Sequence, residues 1–287
     1  MEVTHISSEF CPNSKAGFLG DVLETLPKIQ NVLGHNTSVI MPLYHKEYSI
    51  ERSLKNIFKG TVVLDRLKFP FSIYQESSGI LGYDLFLVSI PGLFDSNKIY
   101  TYNDDTERVL AFQFAILDWF LSKETIPEII HCHDHQSFLI PFLITQVYKY
   151  EKLKNIPTII TIHDEIFQGQ FGFDKIHYFP EFNLDAIKML VFENCINPMV
   201  SAVKCSSMIA PISQSYLNEP LTNSYLVGYL LKSFEKKYSK ILNPIAAGFL
   251  NQESGKVNQD LKKDSHKKIR IPNRHLVKPA ELVNYPF

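Results

Sequence analysis

Short apolar stretches alternate with stretches of helical period from the first residues to about residue 212. Residues 3–7 predict a strand, and residues 21–33 a helix carrying Val22, Leu26, Ile29 and Leu33 on one stripe, with Gly34 as its C-terminal stop. Further strands are predicted over 37–41, 61–64, 72–75, 83–90, 128–132, 158–162 and 207–212. Helices are predicted over 106–123, 137–149, 184–194 and 198–204. Strand–helix alternation with β-branched strands such as Thr158-Ile159-Ile160-Thr161-Ile162 implies a parallel sheet covered on both faces. The expected fold class is therefore α/β, a Rossmann-like, doubly wound, mostly parallel sheet. Ligands of such sheets bind beyond the carboxyl ends of the strands, so the residues just after each strand carry the interest.

The pattern fades toward the end of the chain. Residues 251–287 hold eight Lys or Arg against four Asp or Glu and lack apolar periodicity, which reads as a basic, solvated tail. The expected division is a domain over 1–250 and a flexible tail over 251–287. Composition narrows the function classes. With 29 basic against 30 acidic side chains, the net charge of −1 argues against a nucleic-acid binder that neutralises phosphates. Four scattered cysteines without a CxxC pair speak against a disulfide scaffold or a structural zinc site. The N-terminus has neither a basic n-region nor an apolar h-region, and the strongest apolar run, 138–144, falls far short of a membrane span. A soluble, cytoplasmic protein without membrane contact is the expectation.

Four segments could carry chemistry. The loop from Ser8-Glu9 through Lys15-Ala16-Gly17-Phe18-Leu19-Gly20-Asp21 joins the first strand to the first helix. Its glycines let backbone approach a ligand, the helix N-terminus offers N–H groups, and Lys15 adds a charge suited to phosphate. Its spacing is neither G-x-G-x-x-G nor a Walker A loop, and an ordinary turn with Asp21 as N-cap accounts for the same residues. Second, His131, His133 and His135 alternate at a strand end, around Asp134. Alternation could supply two metal ligands, but three on one strand chelate poorly and no carboxylate or Cys cluster completes a set, so no metal or cofactor is expected. Third, His163 follows another strand, in Thr161-Ile162-His163-Asp164-Glu165-Ile166-Phe167-Gln168-Gly169-Gln170-Phe171. Fourth, Tyr100-Thr101-Tyr102-Asn103-Asp104-Asp105-Thr106-Glu107-Arg108 opens the long helix, where Asp105 or Thr106 can cap and Arg108 can hold a carboxylate.

These segments resemble, in order, motifs of the bacterial glycogen synthase and plant starch synthase family. Lys15 to Val22 resembles K-x-G-G-L-G-D-V, His131 to Gln136 resembles H-x-H-D-W-H, residues 161–171 resemble T-I-H-N-x-x-x-Q-G-x-F, and 100–108 resemble Y-x-D-N-x-E-R-F. The matches run from the N-terminus to about residue 245, with Phe18, His135, Gln136 and Asp164 as departures. The resemblance implies the N-terminal half of a GT-B glycosyltransferase, with the C-terminal nucleotide-binding domain absent from this chain. It implies retaining transfer of glucose from ADP-glucose to an α-1,4-glucan, with a separate donor-binding chain as partner. The alternative is a non-catalytic glucan-binding or regulatory module. On this reading Asp134 and His163 are catalytic, while Glu9, Lys15, Gly17, Leu19, Gly20, Asp21, Tyr102 and Gln168 bind substrate.

Overall fold

A computed structural model describes residues 1–9, 18–44, 54–95, 105–164 and 166–210. Strand β1 (Glu2–Ile6) leads to helix α1 (Phe18–Val32) and strand β2 (Asn36–Pro42). Strands β3 (Leu54–Leu64), β4 (Leu67–Glu76) and β5 (Asp84–Ser89) follow, then the long helix α2 (Asp105–Ser122). Strand β6 (Ile129–His133), helix α3 (Ile140–Gln146) and strand β7 (Thr158–Thr161) continue the alternation. The last described part holds β8 (Phe171–Gly172), α4 (Ile187–Leu190), β9 (Val191–Phe192), β10 (Cys195–Ile196), α5 (Pro198–Cys205) and β11 (Met208–Ile209).

One eight-stranded sheet runs in the order β11-β7-β6-β1-β2-β5-β4-β3. The six strands from β11 to β5 are parallel, and only the β3–β4 hairpin at one edge is antiparallel. Alternation along β2 and β5 separates the two faces. Val39, Met41, Leu85 and Leu87 pack with Leu19 and Leu23 of α1, whereas Ile40, Phe86 and Val88 join the larger core that contains α2. The expected two-sided α/β sheet is what these residues build.

Several details differ from the sequence reading. Helix α1 begins at Phe18, so Asp21 lies inside its first turn, where its charge favours the helix dipole, and is not an N-cap. The buried stripe is Leu19, Val22 and Leu23, while Ile29 and Leu33 are exposed. The β3–β4 arm is longer than predicted and admits Pro70, which lies outside the stretch of β4 paired with β5. The expected helix over 137–149 stops at Gln146, because Val147 is extended and bridges Phe182; a 3-10 turn, Tyr148–Leu153, follows. The expected helix over 184–194 is short. After α4 the chain makes a hairpin whose two loop residues, Glu193 and Asn194, take φ of 48° and 62°, the pair of left-handed residues that a tight two-residue hairpin needs. Gly34 is the stop the sequence suggests. Its φ is 88°, its N–H meets the Asn31 carbonyl at 2.9 Å, and the His35 N–H meets the Gln30 carbonyl at 3.0 Å, a Schellman closure. Lys15, Gly17, Tyr102 and the 251–287 tail lie outside the described residues.

Candidate active site

The carboxyl ends of β1, β6 and β7 lie side by side, because these three strands are adjacent and parallel. Strand β6 ends where Asp134 takes φ 58°, a left-handed conformation that aspartate tolerates better than most residues. Ser137 closes the turn: its hydroxyl donates to the carbonyls of His133 at 3.0 Å and Asp134 at 3.1 Å. The turn aims the Asp134 side chain at the end of β7. There Oδ1 accepts the backbone N–H of His163 at 2.7 Å and that of Asp164 at 3.3 Å.

Asp134 is only 8% exposed, and burial pushes its carboxyl up to about 7. The two N–H groups oppose that rise, while the charges of Asp164 and Glu9 add to it. A positive charge forming nearby would shift this carboxyl toward its ionised state. His163 is neutral at physiological pH, because burial lowers its imidazole to about 4. Its Nδ1 is sealed from solvent and has no hydrogen-bond partner among the described residues. Glu9, 3% exposed, closes the same rim from β1.

Beside this pair opens a cavity of about 490 Å³, lined by residues of all the converging segments: Ser8 after β1, Tyr44 after β2, Arg108 on α2, His135 and Gln136 after β6, and Gln168 after β7. Arg108 is fixed by its Nε–H on the Leu93 carbonyl at 2.7 Å and by Asp105 at 3.1 Å, and lies over the Phe94 ring at 5.0 Å. Gln168 Oε1 accepts from Asn197 Nδ2 at 2.9 Å, and Asn197, fully buried, also caps α5 through Val200 N–H. The loop can pass close to His135 because residue 169 is glycine. Its φ is 72°, and an added Cβ would sit 2.9 Å from the His135 Cβ. Gly169→Ala is therefore expected to destabilise the fold by about 1–3 kcal/mol and to weaken any ligand of this cavity, checked by denaturant unfolding.

The structure thus brings Glu9, Asp134, His163 and Gln168 to one rim. Leu19 is buried in the core beneath α1, and Gly20 and Asp21 lie with it in the first turn of that helix. The sequence reading missed Tyr44 and Phe94 as lining residues, and it missed His5. It also expected His131, His133 and His135 to share a face, but the left-handed turn at Asp134 takes His135 away to the cavity. His5, opposite His131 in the β1–β6 register, completes the row instead.

His5, His131 and His133 bring ring nitrogens within 4.8 Å of one another, a grouping that suits a metal by ligand type. Both nitrogens of His5 and of His133 are nevertheless engaged in hydrogen bonds. His5 Nδ1 meets His133 Nε2 at 3.0 Å, His5 Nε2 meets Gln30 Oε1 at 2.7 Å, and His133 Nδ1 meets His163 Nε2 at 3.0 Å. An ion would have to displace the His5–His133 bond, so the donor set fits a hydrogen-bonded chain rather than a metal centre.

Comparison with known proteins decides the family. The starch synthase catalytic domain profile matches residues 2–234, most of the chain. The chain belongs to the starch synthase catalytic domain family. Over 245 residues it is 45% identical to a glycogen synthase of Flavobacterium johnsoniae, covering 85% of this chain and 52% of that protein. A glycogen synthase of Streptococcus pneumoniae is 29% identical over 266 residues, 88% of this chain and 54% of its own length. The catalytic domain of starch synthase IV from Arabidopsis thaliana, solved with ADP and acarbose bound, superposes with a TM-score of 0.74 at 25% identity, over 84% of this chain and 51% of that one. The chain spans about half the length of the curated relatives it matches. No described helix is long and apolar enough to cross a membrane.

Proposed function

We propose that this chain is the acceptor-side half of a retaining glucosyltransferase, moving glucose from ADP-glucose to the non-reducing end of an α-1,4-glucan. Residues 1–250 are that half, and a nucleotide-binding domain facing it across a cleft completes the enzyme. The reading rests on one observation: Asp134 and His163, held together at 2.7 Å through a backbone N–H, stand at adjoining strand ends, and the residues that follow them, His135, Gln136 and Gln168, line the cavity.

The chemistry follows from charge. The bond from the anomeric carbon to the diphosphate oxygen breaks, the acceptor hydroxyl oxygen bonds to that carbon, and its proton leaves with the released ADP. Negative charge grows on the diphosphate and positive charge on the sugar ring. Lys15, Gly17 and the N–H groups from Phe18 to Asp21 in the first turn of α1 serve the diphosphate, since the first turn of a helix leaves N–H groups unpaired. Asp134 serves the sugar side, and a neutral His163 accepts from a sugar hydroxyl without opposing the positive charge. Glu9, Tyr102 and Gln168 hold the remaining hydroxyls. Water is excluded as the cavity fills, which strengthens each of these contacts.

The test is turnover of ADP-glucose onto maltooligosaccharide by the purified chain with the C-terminal half of a relative added in trans. Glucan extension that depends on both halves is expected, and absence of turnover under every pairing would end the proposal.

A further inference from the structure

A half-buried glutamine ends the inward side of α1. Gln30 follows Leu23 and Pro27 on the inward side of the helix, and its carbonyl is pinned by the Schellman closure around Gly34. Its side chain reaches β1, where Oε1 lies 2.7 Å from His5 Nε2. His5 is fully buried, on the same face of the sheet as His131 and His133.

With the Gln30 amide oxygen toward His5, the proton positions along this row follow one from the next. An amide oxygen only accepts, so His5 carries its proton on Nε2 and its Nδ1 is bare. That bare nitrogen faces His133 Nε2 at 3.0 Å, which must then carry the proton of its ring. His133 Nδ1 is bare in turn and faces His163 Nε2 at 3.0 Å, so His163 holds its proton there. Each ring has a single proton to place, since burial keeps all three imidazoles neutral. The sequence of assignments ends at His163 Nδ1, a sealed lone pair without a partner among the described residues.

We propose that Gln30 is a positioning residue, which through His5 and His133 fixes His163 as an acceptor for a ligand hydroxyl. The identity of that hydroxyl as a sugar's rests on the glucosyltransferase reading; the tautomer assignment does not. A half-turn of the Gln30 amide would present N–H₂ to His5 and reverse every proton position, making His163 Nδ1 a donor. One amide at the end of α1 thereby sets the hydrogen-bonding sense of a group two strands away, at the end of β7.

Long-range ¹H–¹⁵N correlation spectra of the ¹⁵N-labelled chain at pH 7.5 test this. In the wild type, His5, His133 and His163 are each expected to show a pyrrole-type Nε2 and a pyridine-type Nδ1. Gln30→Lys, which can only donate, is expected to invert all three rings, and Gln30→Met, which offers neither function, to leave a mixture. Both substitutions suit a half-exposed helix end, so the chain folds. A protonated Nδ1 at His163 in the wild type, or the wild-type pattern retained in both variants, overturns the assignment. Maltooligosaccharide affinity gives the second arm: about a tenfold loss is expected in Gln30→Lys, one hydrogen bond's worth. Inverted rings with undiminished affinity would overturn the acceptor role. Failure of the wild type to bind any sugar would instead count against the glucosyltransferase reading and leave the tautomers standing.

Discussion

Asp134→Asn is expected to cut glucosyl transfer by about 10²–10³-fold while stabilising the folded chain above pH 7. The two effects have one origin, a carboxylate held out of water. Its folded pKa is raised from 3.8 to about 7, so what it contributes to stability is present below pH 3.8 and is lost as pH rises through 7. At pH 8 the buried charge is therefore a burden. Asparagine keeps an Oδ1 to accept from the N–H groups of His163 and Asp164, at 2.7 and 3.3 Å in the wild type, and carries no charge. A gain of about 1–3 kcal/mol at pH 8, shrinking toward pH 5, is expected from denaturant unfolding. The charge that is lost is the one facing a positive sugar ring, which is why activity falls as stability rises. A variant that became less stable at pH 8 and kept its turnover would show that Asp134 serves the turn and nothing else.

The strand ends were legible because local rules fix them. Asp134 is preceded by the buried run Ile129–His133 and His163 by the β-branched run Thr158–Ile162, so both fall just past a parallel strand whatever the sheet order. Gly34 was legible for the same reason, since an exposed left-handed residue after a helix favours glycine. The face of α1 was not. Leu26, Ile29 and Leu33 make a plausible stripe, but the sheet beneath selects Leu19, Val22 and Leu23, and only packing reveals the rotation. That rotation is also what turns Gln30 inward. His5 was hidden by distance: its partner His133 lies 128 residues away, and no spacing rule reports which strands become neighbours. The departure of His135 from its row depended on a single φ at Asp134, which residue type permits without requiring.

The row of histidines should make the protein sensitive to acid in a narrow window. His5, His131, His133 and His163 all have their imidazoles lowered by burial, with His5 and His163 brought from 6.5 to about 4. For a depressed pKa the stabilisation is complete above the unfolded value of 6.5 and is withdrawn as pH falls toward the folded value. For His5, fully buried, the difference corresponds to about 3 kcal/mol across that interval, at about 1.4 kcal/mol per pH unit. The losses reinforce one another, because a proton on one ring breaks the donor–acceptor alternation and places a cation beside a ring 4.2–5.3 Å away. Asp134 works in the opposite direction across the same window: between pH 7 and 3.8 the folded state holds a proton there that the unfolded state lacks, which offsets about one histidine's worth of slope and leaves the others to dominate. With total stability of about 5–15 kcal/mol, unfolding between pH 6 and 4 is expected. Urea titrations at pH 7.5, 6, 5 and 4 check this: the free energy should fall with a slope of more than one proton below pH 6, and His5→Gln should reduce that slope by about one. A stability that stays level from pH 7.5 to 4 would mean that the buried row accepts protons without opening, contrary to the geometry of its hydrogen bonds.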